Sequence, residues 1–127
     1  VNNLKFVTIW GTGLPLREFL HVEDMARASI QVMNVNKKKY YKIIKPMNHI
    51  NIGSGMEVSI KTLAKKIKKI VDFRGNIKFD ATKPNGTLRK LTNVRRIAKI
   101  GFKNKIDLEE GLKRVYMDFK ERNSTQN

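Results

Sequence analysis

The sequence predicts a small α/β layer, and three observations carry that reading. Short β-rich runs recur at residues 4–10, 49–52 and 76–79, the first two closed by a Gly-rich turn and the third by a turn-rich loop. Between and after them, apolar residues fall at steps of three and four, as on one face of a helix. Cap residues stand where those steps begin.

In chain order, residues 4–10 alternate and contain Phe6, Val7, Thr8 and Ile9, which makes a strand ending at Trp10 and the Gly11-Thr12-Gly13 turn. Met25, Ala26, Ile30 and Met33 mark a helix over about 22–34, with Glu23 and Asp24 in its first turn, where the dipole favours anions. Residues 37–42, Lys-Lys-Lys-Tyr-Tyr-Lys, have no clean period and read as an exposed excursion. Residues 49–52 read as a second strand, closed by Gly53-Ser54-Gly55. Ser59 caps a third segment whose stripe is Ile60, Leu63, Ala64, Ile67, Ile70 and Val71, with Lys61, Lys65, Lys66, Lys68 and Lys69 on the other face. Residues 76–79 give the third strand, 80–90 a turn-rich loop, and 94–100 a short helix capped by Asn93 and stopped by Gly101. The last helix opens at Asp107-Leu108-Glu109-Glu110 and is expected to bury Leu108, Leu112, Val115, Tyr116 and Phe119. Three strands and four helices are too few for a doubly wound dinucleotide fold. The reading is therefore one lobe over 1–121 and a polar, frayed tail over 122–127.

Composition narrows the chemistry. The 127 residues, 40% of them hydrophobic, suit one core. With no Cys and two His, thiolate chemistry is excluded and no His-rich metal site is expected. No apolar run reaches the ~20 residues of a bilayer span, and the opening Val1-Asn2-Asn3 is not a basic leader, so the expected location is cytoplasmic and no membrane partner is expected. A start at Val1 directly before a strand is what an internal piece of a longer protein, or a processed chain, looks like. The net charge of +16 suits a nucleic-acid surface, and the Lys37 to Lys42 tract with its tyrosines could stack on bases. Lys outnumbers Arg, however, and Lys, Asn and Ile all have A/T-rich codons, so genomic bias also produces this composition. A nucleic-acid-binding module stays as the alternative of a different class.

Two stretches carry the chemistry, Trp10-Gly11-Thr12-Gly13-Leu14-Pro15-Leu16-Arg17 and Lys83-Pro84-Asn85-Gly86-Thr87-Leu88-Arg89-Lys90. Each sets a turn beside a cation. A guanidinium at Arg17 can hold two phosphate oxygens at once, or it can pair with Glu18 or Asp24 at the helix start. Trp10 can face a base or sugar, or cap the core. Asn85 can donate and accept hydrogen bonds, with Lys83, Arg89 and Lys90 around it.

The run from Trp10 to Ala26 resembles, almost residue for residue, the Trp-Gly-(Ser/Thr)-Gly-x-Pro-x-Arg-Glu-Phe-x-His-Val-(Asp/Glu)-Asp-(Met/Leu)-Ala pattern of GDP-L-fucose synthases, which are extended short-chain dehydrogenase/reductases. The similarity continues through Pro46-Met47, the segment from His49 to Gly55, the Lys-Pro-x-Gly-Thr-x-Arg-Lys loop and Gly101-Phe102. The Arg-Glu-Phe-x-His-Val portion indicates only the wider nucleotide-sugar epimerase and dehydratase group; the Lys-Pro loop points to the fucose synthases.

The resemblance implies the carboxyl-terminal, substrate-binding lobe of an extended short-chain dehydrogenase/reductase, without its Rossmann domain. It implies an NADP-dependent enzyme that epimerises GDP-4-keto-6-deoxy-D-mannose and reduces it to GDP-L-fucose, homodimeric at full length. By it, Trp10, Arg17, Asn85 and Lys90 would line the GDP-sugar site. No catalytic, cofactor or metal residue is expected in this chain, so NADP(H) belongs to the full-length family and turnover is not expected of the chain alone. The family usually has Asp where Asn85 stands and Pro where Leu88 stands. Tyr116 and Lys120 have the Tyr-x-x-x-Lys spacing of the family's catalytic pair, but they lie in the closing helix and read as structural.

Overall fold

The computed structural model describes residues 4–124, and it has the α/β character that the sequence predicts. Its elements run β1 Phe6–Trp10, β2 Leu16–Glu18, α1 Val22–Met33, α2 Lys37–Ile44, β3 Glu57–Ser59, α3 Ile60–Ile70, β4 Asn76–Asp80, β5 Arg89–Lys90, α4 Arg95–Ala98 and α5 Leu108–Ser124. The described residues fall into two compact units. One draws on residues 4–17, 57–90 and 109–124, the other on Glu18–Met56 and Leu91–Leu108.

In the first unit β1 pairs in parallel with β4, Phe6 opposite Asn76 and Trp10 opposite Asp80. A second small sheet has the order β3-β2-β5, with Leu16 opposite Arg89 and Arg17 opposite Lys90 in parallel register. The helix α3 starts where expected, its Ser59 side chain accepting from the Thr62 amide at 3.1 Å. Two backbone bonds seat it: Ile60 N–H donates to Pro15 O and Lys61 N–H to Gly13 O. Its apolar stripe is present but not covered. Ile60, Leu63, Ala64, Ile67 and Val71 face Val7, Ile9 and Ile77 across an open groove of about 590 Å³. An apolar concavity of that size binds hydrophobic dyes, so the chain is expected to enhance the fluorescence of anilinonaphthalene sulfonate. Ile67→Lys, at a position 39% exposed, should lower that signal without unfolding the unit.

The second unit is built on Ala28, Ile43, Ile97, Ile100 and Phe102, with Val32, Ile50, Ile52 and Val94 packed around them. His21 caps α1 by accepting from the Glu23 amide, as its junction position suggests. Beneath that cap lies Asp24, wholly buried. Its carboxylate accepts from the Arg27 guanidinium and from the backbone amides of Lys105 and Ile106, the last two at 3.0 Å. Burial pushes its pKa up, but those hydrogen bonds and the Arg27 charge outweigh it and hold the carboxyl below its ordinary 3.8.

Five local expectations are corrected. Residues 37–42 are not a loop but most of α2: Asn36 caps it, and Tyr40, Ile43 and Ile44 recur at three and four to give it an inner face. Residues 49–52 form no ladder; Ile50 and Ile52 alternate toward the core without a strand partner. The helix α4 is shorter than 94–100, and Asn93 bonds the Arg95 amide from one position earlier than a cap. In α5, Leu108, Leu112 and Tyr116 are half-buried, whereas Val115 and Phe119 are each 58% exposed. Arg122, Asn123 and Ser124 extend that helix rather than fraying, helped by Arg122 pairing with Asp118 at 2.9 Å; residues 125–127 of the expected tail lie outside the described residues.

Candidate functional site

All four residues singled out by the sequence belong to the first unit. The turn after β1 is where they begin to converge. Gly11 N–H continues the ladder to Asp80 O at 2.8 Å, and Leu16 N–H takes Leu88 O at the same distance, so the 11–16 and 80–90 segments run as a matched pair. Gly11 and Gly13 have φ of +81° and +76°, which L side chains rarely adopt. A methyl at Gly11 would stand 2.5 Å from Asn85 Oδ1, and one at Gly13 would overlap the Phe79 ring. Gly13→Ala is therefore expected to cost about 2–4 kcal/mol. Urea melts of the variant against the parent check it.

Asn85 is the latch of this pair of segments. Its Oδ1 accepts from the Thr12 amide at 2.7 Å and from the Thr12 hydroxyl at 2.9 Å. The first bond fixes which end of the amide faces inward, so Nδ2 faces the other way and has no partner among the described residues. An Asp here would make the same latch but turn a carboxylate oxygen outward; Asn turns out a donor instead.

Arg17 is half-buried. One nitrogen donates to Leu16 O at 2.6 Å, and a Cβ at Gly86 would lie 3.7 Å from Nη2. Neither carboxylate suggested by the sequence takes it. Asp24 is committed to Arg27 and two amides, and Glu18 accepts from Gly55 N–H at 2.6 Å and Thr92 N–H at 2.9 Å. The guanidinium is left without an anion among the described residues.

Paired residues of a parallel ladder project to the same side and stand about 5 Å apart. The register of Arg17 with Lys90 thus puts two cations, both without a carboxylate partner among the described residues, on one face of the small sheet. The neighbouring pair behaves differently: Arg89 is held by Glu57 at 2.9 Å, and that hydrogen bond, then the carboxylate's charge, raises its pKa further. Trp10 is 70% exposed at the end of β1, and Lys83 Nζ sits 5.8 Å over its ring. The turn that carries Lys83 is closed by Asp80, whose Oδ1 accepts from the Thr82 amide at 3.1 Å. Sequence reasoning missed Thr12 and Phe79, whose roles become visible only when the two segments are paired.

The Gly53-Ser54-Gly55 turn does not fit a cofactor phosphate. Its Gly55 amide is spent on Glu18, Ser54 Oγ approaches the same carboxylate at 3.4 Å, and a Cβ at Gly53 would stand 2.5 Å from Glu18 Oε1. Burial pushes the Glu18 pKa up, yet the bonds from Thr92, Gly55 and Ser54 outweigh it and leave the carboxyl below 4.5. The turn is closed on an anion of its own. Among the described residues no group of three His, Cys, Asp or Glu could hold a metal, and no helix is long and apolar enough to cross a membrane. The Tyr116 ring and Lys120 Nζ, 5.6 Å apart, lie within α5.

Two cations thus share one face of a parallel ladder, in the same unit as an exposed indole. Residues 2–53 match the NAD dependent epimerase/dehydratase family. It is 46% identical over 120 residues to GDP-L-fucose synthase of Escherichia coli, covering 94% of this chain and 37% of that protein. With GDP-L-fucose synthase 1 of Arabidopsis thaliana the identity is 43%, over 91% of this chain and 33% of that protein. Among solved structures, the GDP-mannoheptose C4 reductase of Campylobacter jejuni with NADP bound superposes with a TM-score of 0.80 at 39% identity, over 91% of this chain and 35% of that one. A GDP-L-fucose synthetase of Naegleria fowleri bound to NADP gives 0.79 at 27%, over 94% and 36%. The chain thus spans about a third of the length of the relatives it matches, and those relatives are NAD(P)-dependent enzymes.

Proposed function

We propose that this chain is the GDP-sugar-binding lobe of a GDP-L-fucose synthase, which epimerises GDP-4-keto-6-deoxy-D-mannose and reduces it with NADPH. The observation that carries the reading is the pair of unpaired cations, Arg17 and Lys90, in register on one strand face. In this reading Arg17 holds the diphosphate or ribose, Lys90 supports the diphosphate, and Trp10 and the free Nδ2 of Asn85 meet the sugar or base. The hydride donor and the proton-transferring residues lie in the two-thirds of the enzyme that this chain does not match, and the cofactor is held there. The chain alone therefore binds weakly and turns nothing over.

Calorimetric titration with GDP, UDP and dTDP tests this. GDP is expected to bind best, and no NADPH oxidation is expected with the keto-sugar; preference for UDP, or turnover by the chain alone, overturns the reading. A second reading, a reductase of another GDP-linked keto-sugar, is favoured by the 39% identity to the GDP-mannoheptose reductase. It uses the same four residues. Competition between GDP-mannose and GDP-mannoheptose for the chain separates the two.

A further inference from the structure

The arginines of this chain divide by partner. Arg27, Arg74, Arg89, Arg114 and Arg122 each face a carboxylate. Three face none among the described residues: Arg17, at the site already described, and the adjacent pair Arg95 and Arg96. Those two are not scattered on the surface. With Lys99, His49, Asn51 and Asn93 they line a cleft of about 370 Å³ in the second unit. Among the described residues no carboxylate lines it, although the chain has 11 acidic residues to offer.

The cleft is built rather than incidental. Arg96, half-buried, donates from Nη1 to His49 O at 3.3 Å, which fixes its guanidinium at the wall. Asn51 Nδ2 donates to Asn93 O at 3.4 Å, and Asn93 Oδ1 accepts from the Arg95 amide at 3.1 Å, so the two loops that form the walls are tied together. Three cations share the space with no counter-charge, a repulsion that a bound anion would relieve. The volume lies within the roughly 300–1,000 Å³ typical of small-ligand pockets. We propose that this cleft is a second anion site, which takes a phosphate-bearing small molecule through Arg95, Arg96 and Lys99. It is independent of the GDP-sugar reading, which rests on residues of the other unit.

The test is an amide-shift titration of the isotope-labelled chain with inorganic pyrophosphate at fixed ionic strength. Saturable shifts are expected at His49, Asn51, Asn93 and Arg96. The Arg95→Ala, Lys99→Ala double variant, whose substitutions fall on exposed positions, should weaken that binding about tenfold or more, while Arg17→Ala leaves it unchanged. If the double variant does not fold, Lys99→Gln alone should still weaken it severalfold. Repeating the titration with a nucleoside monophosphate distinguishes the source: tighter binding at the same residues assigns a nucleotide's phosphate, equal binding assigns free phosphate. Shifts confined to residues 10–17 and 83–90, absence of saturation, or unaltered affinity in the folded variants would overturn the proposal. So would an oligonucleotide that shifts these residues when pyrophosphate does not.

Discussion

Arg17→Ala is expected to lower the affinity of the chain for GDP roughly 10- to 100-fold, because a charge-assisted hydrogen bond contributes on the order of 1.5–3 kcal/mol and tenfold corresponds to about 1.4. The same change should leave thermal stability almost unaltered. No carboxylate loses a partner when the guanidinium goes, since its one protein bond is to Leu16 O. Arg17→Lys should fall between, keeping the charge but losing the planar fork. Calorimetry with GDP, alongside a thermal melt of each variant, checks all three statements; a variant that binds GDP like the parent removes Arg17 from the site.

Asp24→Asn is expected to produce the largest loss of stability, about 2–4 kcal/mol. The carboxylate is fully buried and takes three donors at once, so a neutral amide leaves Arg27 without its anion and turns an NH2 toward groups that also donate. The pH dependence has a definite sign. A carboxyl whose folded pKa is depressed contributes stability that is complete above its unfolded value and is lost as pH falls through the folded one. For Asp24 that window lies below 3.8, and for Glu18 below 4.5. Urea melts between pH 3 and 7 should show the parent losing stability at the acid end. The Asn variant should begin lower and lose less over the same range.

Much of the scaffold was legible from local chemistry. Ser59 before the Ile60 stripe, and Asn76 to Phe79 after it, gave α3 and β4 because a cap and a periodic face are local signals. The Lys37 to Lys42 tract was not legible. Its lysines conceal an inner face completed only by Ile43 and Ile44, two residues beyond the charged run. The short strands β2, β3 and β5 carry two or three residues each, too few for a period; they exist because the chain brings partners beside them. At the site, Trp10, Arg17, Asn85 and Lys90 could be picked out by type. That Asn85 has one end on Thr12, and that Arg17 escapes both nearby carboxylates, follows from tertiary pairing and could not be read in one dimension.

The bond from Thr12 to Asn85 joins positions 73 apart. Such distant partners meet late, after the loop between them has closed, so during synthesis the face that carries Arg17 and Lys90 stays unmade until the chain has emerged well past Lys90. A nucleotide seated there would act as a seal on the finished structure, favouring completed molecules over partly assembled ones.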